Sequence, residues 1–231
     1  MNVSVIKRCS IVVGRRMISA VRAPALTGNP NLVGSLIFEN PPADPIALLN
    51  LWIDSAIKLG VSEPMDFVLA TTDKDTLVPS TRVLLAKCID QRGLVFGSTK
   101  KSLKGIQLVK NNKAAANFWW RETMQQVCIT GEVYELSAEE SNELFAERTK
   151  SARAIAALSH QSSPMKDEKL FRSQVNALVS ASSEVDRPSH WQAYALRIQR
   201  IEFWLGSKDR FHKRLLYELK GDEWTHTRLQ P

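Results

Sequence analysis

Cysteine is scarce. Cys9, Cys88 and Cys128 are the three in 231 residues, and their spacing matches neither a disulfide framework nor a zinc-ligand pair. A cystine-stapled domain is therefore excluded and a reducing compartment is implied, which we read as the cytoplasm. Long apolar runs are missing too. Ile11–Val13 is too short for a secretory core or a membrane span, and no other run reaches that length, so no membrane is expected. Several catalytic signatures are lacking. No Gly-x-Gly-x-x-Gly follows a strand-like run, and neither Gly-x-Ser-x-Gly nor His-Glu-x-x-His occurs. The histidines, His160, His190, His212 and His226, are scattered, so no metal site is expected. Internal repeats and low-complexity blocks are absent as well.

Charge is present, but mostly at one end. The formal net charge is +7; Lys7, Arg8, Arg15, Arg16 and Arg22 lie in an acid-free start, and removing these five leaves +2. A nucleic-acid binder would carry a broader basic face, so none is expected as a partner. The basic start fits a transit peptide, or an upstream extension with Met17 as a second start. Pro, Gly and Asn are frequent from Ala23 to Pro42, which predicts a flexible extension over residues 1–40 and one domain over 41–231.

The domain is organised around Ser80–Gly105. Val83–Leu85 and Leu94–Phe96 are β-prone runs with turn chemistry at Asp90–Gly93 between them, so they read as a hairpin whose second strand enters a helix. Gly97, Ser98, Thr99 and Ser102 meet Lys100, Lys101 and Lys104 just before that helix. A helix start favours an anion; hydroxyls and a lysine suit a phosphate, and Arg82 adds a forked donor. A hairpin with a solvated basic rim accounts for the same residues equally well. Elsewhere Asp44 and Pro45 begin a helix, and Ser137 with Glu140 makes a capping box. Strands are expected at Phe67–Thr72, Ala114–Trp120, Gln125–Leu136, Gln192–Ile198, Ile201–Leu205, Phe211–Leu219 and Trp224–Leu229. Sequence-adjacent strands with helices between them predict a mainly β protein with peripheral helices (α+β), an antiparallel barrel or sandwich.

Taken in order from Met65 to Pro231, several blocks resemble the pyridoxine 5′-phosphate oxidase-like flavoproteins. They include Ser80-Thr-Arg-Val-Leu-Leu-Ala-Lys87, Gly93-Leu-Val-Phe-Gly-Ser98, Ser102-Leu-Lys104, Gln125-Gln126, Gln161-Ser-Ser163, Ile201-Glu-Phe-Trp204 and Arg210-Phe-His-Lys-Arg214. The resemblance implies an antiparallel Greek-key split β-barrel, a homodimer and flavin mononucleotide (FMN) at its interface. By position it implies cofactor contacts at Arg82, Val83, Leu84, Leu85, Lys87, Gly97, Ser98, Ser102, Lys104, Gln126, Gln161, Ser162, Trp204 and Arg214. Leu103 stands where the family usually has an arginine.

The substrate side departs from the vitamin enzyme. Its lysine, tyrosine, arginine and serine around a substrate phosphate correspond to Lys87, Leu144, Arg148 and Ala152, so two donors have become apolar. Pro41–Leu49, Leu59–Pro64, Trp120–Thr123 and Ser159–Ser162 are similar to a branch that oxidises intermediates of phenazine biosynthesis. That branch implies dehydrogenation of a small dihydroaromatic carboxylate with O2 as acceptor. Arg210 and His212 join the substrate contacts and are the candidates for a catalytic role. The alternatives are a pyridoxine/pyridoxamine 5′-phosphate oxidase and a non-catalytic FMN-binding barrel.

Overall fold

Trp52 shows how the core is assembled. Asp44 accepts from the Ile46 N–H at 2.8 Å and Pro45 takes the first helical position, starting α1 (Pro45–Lys58). One face of α1 buries Leu48, Leu49, Trp52, Ile53 and Ala56. Trp52 then meets Phe203 edge-on at 5.1 Å, with Phe38 and Trp120 close by, so the helix plugs one end of a curled sheet.

The computed structural model describes residues 8–13, 16–21 and 36–231. Arg8–Val13 (β1) pairs with Arg16–Val21 (β2) as a separate two-stranded sheet, and the rest of the expected extension before residue 36 lies outside the described residues. Phe38, within that expected extension, is buried in the core, and its carbonyl accepts from Arg228.

Nine strands form the main sheet. They are β3 (Asp66–Thr72), β4 (Pro79–Leu85), β5 (Cys88–Asp90), β6 (Gly93–Thr99), β7 (Lys113–Trp120), β8 (Gln125–Glu135), β9 (Trp191–Leu205), β10 (Lys213–Lys220) and β11 (Glu223–Leu229). The helices α2 (Leu103–Lys110), α3 (Ala138–Ala146), α4 (Lys150–Leu158) and α5 (Glu168–Ser180) are inserted between strands. The antiparallel order is β11-β10-β9-β8-β7-β3-β4, with β6 also on β9 and β5 on β6. The architecture is a split barrel, as expected.

Two sequence expectations change. The turn at Asp90–Gly93 joins β6 to the short β5, while β4 pairs with β3. The two strands expected as a hairpin meet only where the Lys87 N–H, just past β4, donates to the Val95 carbonyl at 2.8 Å. Secondly, the two strands read at Gln192–Ile198 and Ile201–Leu205 are the single strand β9. Its first half pairs with β6 and its second with β10, and the break is a bulge opposite Thr130 and Gly131. A Cβ on Gly131 would lie 1.9 Å from the Arg197 carbonyl oxygen, so this close approach requires glycine.

Phe67, Leu69, Phe96, Phe118, Val127, Ile129, Phe203 and Tyr217 fill the barrel. The opposite face of the sheet carries Val83, Val68, Asn117, Cys128 and Glu202 in one cross-strand row. No described helix is long and apolar enough to cross a membrane.

Candidate functional site

The start of α2 is packed against the end of β6. Ser102 caps it, accepting from the Gly105 N–H at 3.2 Å while donating to the Thr99 carbonyl at 2.8 Å. Gly105 allows this closeness, since a Cβ there would stand 2.4 Å from the Thr99 carbonyl oxygen. The cap aims Lys104 inward, where it is 6 % exposed. Its Nζ donates to Gln161 Oε1 at 3.0 Å and to Ser102 Oγ at 3.2 Å.

Lys104 has no carboxylate partner among the described residues. Burial, and then the neighbouring Arg82, push it down to about 8. Arg82 is likewise without a carboxylate. It donates to Thr71 Oγ1 at 2.7 Å and to the Leu69 carbonyl, and Thr71 donates onward to Gln107 Oε1 at 2.6 Å. That chain fixes the guanidinium beside the lysine. Ser162, with a left-handed φ of 75°, accepts from the Leu103 N–H at 3.1 Å, in the first turn of α2. A buried and a half-buried cation, two hydroxyls and a helix start converge with no acid among them. The donor set fits a phosphate monoester.

A cleft of about 540 Å³ runs from this corner. Val83, Leu84, Leu85, Gly97 and Ser98 line one side, and α4 lines the other through Ala152, Ile155 and Ala156. Trp191 forms part of the wall against Gly97, where a Cβ would lie 2.4 Å from the indole. Arg148 sits 5.7 Å over that indole and Phe145 supports it edge-on at 5.0 Å. Arg148 has a buried Nε without a partner, and burial lowers its pKa. Lys87 faces Glu147 at 3.5 Å.

The structure thus brings Arg82, Val83, Leu84, Leu85, Lys87, Gly97, Ser98, Ser102, Lys104, Arg148, Ala152, Gln161 and Ser162 to one cleft or its phosphate corner. It does not bring Leu144 there. That side chain packs with Val95 and Leu136 and lines a smaller adjoining cavity of about 150 Å³. Gln126, Trp204 and Arg214 are elsewhere too. With Trp119 they form one cross-strand row over β7, β8, β9 and β10. His212 lies 4.7 Å from Trp204 and its Nδ1 accepts from the Ser207 N–H, while Arg210 stands in the same loop with φ of 70°. Arg214 is held by Glu202 at 2.7 Å. Within one chain these five residues do not line the cleft. Sequence reasoning missed Glu147, Thr149, Ile155 and Ala156, which line it. Their signal was only their place after and within the helices flanking Arg148.

Comparison with known proteins covers both parts of the chain. Residues 53–180 match the family described as pyridoxamine 5′-phosphate oxidase, and residues 191–231 match the pyridoxine 5′-phosphate oxidase C-terminal dimerisation region. The chain belongs to the pyridoxamine 5′-phosphate oxidase family. Dihydrophenazinedicarboxylate synthase of Pseudomonas chlororaphis is 31% identical over 222 residues, spanning 96% of this chain and 99% of that one. Pyridoxine/pyridoxamine 5′-phosphate oxidase of Aliarcobacter butzleri is 38% identical over 191 residues, spanning 81% and 90%. The crystal structure of PhzG from Burkholderia lata 383, in complex with tetrahydrophenazine-1-carboxylic acid, superposes with a TM-score of 0.84 at 34% identity, covering 87% of this chain and 98% of that one. Identity is comparable for both branches, so the site's chemistry must choose between them.

Proposed function

We propose that this chain is an FMN-dependent oxidase that dehydrogenates reduced phenazine carboxylates, with O2 as acceptor, as a homodimer. The observation that carries this is the substrate end of the cleft. Arg148 is a half-buried cation over a flat indole without an anion partner, while Ala152 beside it offers no side-chain hydrogen bond to a phosphate. A carboxylate on a ring system matches that end, and the PhzG structure holds tetrahydrophenazine-1-carboxylic acid.

Lys104, Arg82, Ser102 and Ser162 would hold the cofactor's phosphate, and the edges of β4 and β6 would carry its ring. When bound, the flavin supplies a two-electron acceptor that O2 regenerates. The protein's own part is binding and orientation. Arg148 and Trp191 fix the acid and the ring plane, and Val83, Leu85 and Ile155, exposed in the single chain, would be covered by the bound ring. Losing hydrogen to complete an aromatic ring is downhill, so positioning is enough and no strong base is required. Trp204, Arg210, His212 and Arg214 would reach the cleft from the second copy, through the region that matches the dimerisation family.

FMN-loaded protein given tetrahydrophenazine-1-carboxylate in air is expected to form hydrogen peroxide and an aromatic phenazine absorbance. Pyridoxamine 5′-phosphate is expected to turn over slowly. Fast oxidation of the latter would favour the vitamin-enzyme reading. A bound flavin that no dihydroaromatic acid reduces without O2 would favour a carrier.

A further inference from the structure

The two cations at the substrate end of the cleft are not equivalent. Lys87 Nζ lies 3.5 Å from Glu147 Oε2, so its charge is partly offset by a carboxylate that is itself exposed. Arg148 has no carboxylate among the described residues; its Nη2 donates to the Ala152 carbonyl at 3.4 Å, and its Nε is buried and unpaired. Lys87 and Glu147 both line the main cleft and the small adjoining cavity, so the pair forms the partition between them. The neighbouring backbone donor is also spent, because the Ala152 N–H donates to Thr149 Oγ1 at 3.2 Å.

Lys87, Glu147 and Arg148 together carry one net positive charge. A carboxylate neutralises it. A phosphate ester at neutral pH brings close to two negative charges, and the second one faces Glu147. We propose that Glu147 is a specificity-determining residue, which occupies Lys87 and thereby makes this end of the cleft prefer a singly charged acid group, a carboxylate, over a doubly charged one, a phosphate. This rests on the reading that the substrate's acid group sits at this end. Glu147 touches the Lys87 ammonium and acts on the bound acid through charge alone, so it is not a catalytic residue.

Coulomb energy is linear in the ligand's charge. Removing one negative charge about 7 Å away in water-like surroundings is worth about threefold in affinity to a monoanion and about tenfold to a dianion. The test is calorimetry on the FMN-loaded full chain, wild type against Glu147→Gln, with phenazine-1-carboxylate and pyridoxal 5′-phosphate as probes. The expected result is a gain for the phosphate that is the square of the gain for the carboxylate, shrinking in 0.5 M salt. Glu147→Asp should restore the wild-type ratio. Equal factors for the two ligands, or an unmoved phosphate affinity, would overturn the proposal. Should phenazine-1-carboxylate not bind wild type, the substrate reading falls, and the pyridoxal phosphate affinities of the two proteins still decide the role of Glu147.

Discussion

A buried lysine with no acid beside it is held at a cost, and Lys104 shows the cost as a proton equilibrium. Its ordinary value of 10.5 falls to about 8 in the folded chain. At ~1.4 kcal/mol per pH unit, that is a penalty of roughly 3 kcal/mol in the ligand-free protein. The penalty is fully present below pH 8, where folded and unfolded chains are both protonated. Between pH 8 and 10.5 the unfolded chain binds the extra proton, so this residue's contribution to stability rises with pH. Denaturant unfolding of flavin-free protein at several pH values should show that rise, and Lys104→Met should remove it. Binding has the opposite sign. A phosphate beside Lys104 favours the ammonium, so FMN affinity should fall by up to about tenfold per pH unit above pH 8. A flat profile from pH 7 to 10 in fluorescence titrations would show that Lys104 is not the phosphate lysine.

At the scale of elements, the seam between β6 and α2 decides whether the phosphate corner exists. A methyl group on Gly105 would meet the Thr99 and Lys100 carbonyl oxygens at 2.4 and 2.6 Å, both backbone atoms that cannot swing away. Gly105→Ala should therefore lift α2 from β6, costing about 1–3 kcal/mol and most of the FMN affinity. Ser102→Ala, which removes the cap but not the packing, should cost about 1 kcal/mol. Chemical denaturation and flavin titration of both variants measure this. These helix starts were legible in the sequence because a cap is a local event. Asp44 with Pro45, and Ser137 with Glu140, stand where their side chains predict, and the helix expected after Thr99 begins with Ser102 as its cap. Strand partners were not, because pairing is set by residues far apart. The Asp90–Gly93 turn is real, yet its first strand is the three-residue β5, too short to show any alternation. The bulge in β9 likewise looks like a strand end when its partner is unseen. Within the site, Arg82 and Lys104 were readable from the chemistry of the stretch that holds them, and Arg148 only through the resemblance. Glu147 was not, since a glutamate at a helix end is ordinary until its neighbour across the cleft is known.

At the scale of the whole molecule, the residues matching one cofactor site fall in two places. Lys104 and Arg82 stand at the phosphate corner of the cleft, while Trp204 and Arg214 lie on the outer face of the sheet with His212 against Trp204. That face also exposes Val83 and Trp119, at 62% and 43%, an apolar surface that a second copy would cover. A two-fold dimer makes every contact twice, so two sites would each take one half from either chain. Complementation tests this directly. Lys104→Ala and Arg214→Ala dimers should each bind little FMN. Arg214→Ala should still fold, because Arg200 remains 3.6 Å from Glu202 and keeps that carboxylate company. Unfolded and refolded together in equal amounts, half of the dimers are mixed, and each mixed dimer has one site with both lesions and one with neither. Flavin absorbance per chain should then recover to about a quarter of the wild-type level. No recovery, with mixed dimers verified by mass, would mean that Lys104 and Arg214 act on the site of their own chain and that each chain builds its site alone.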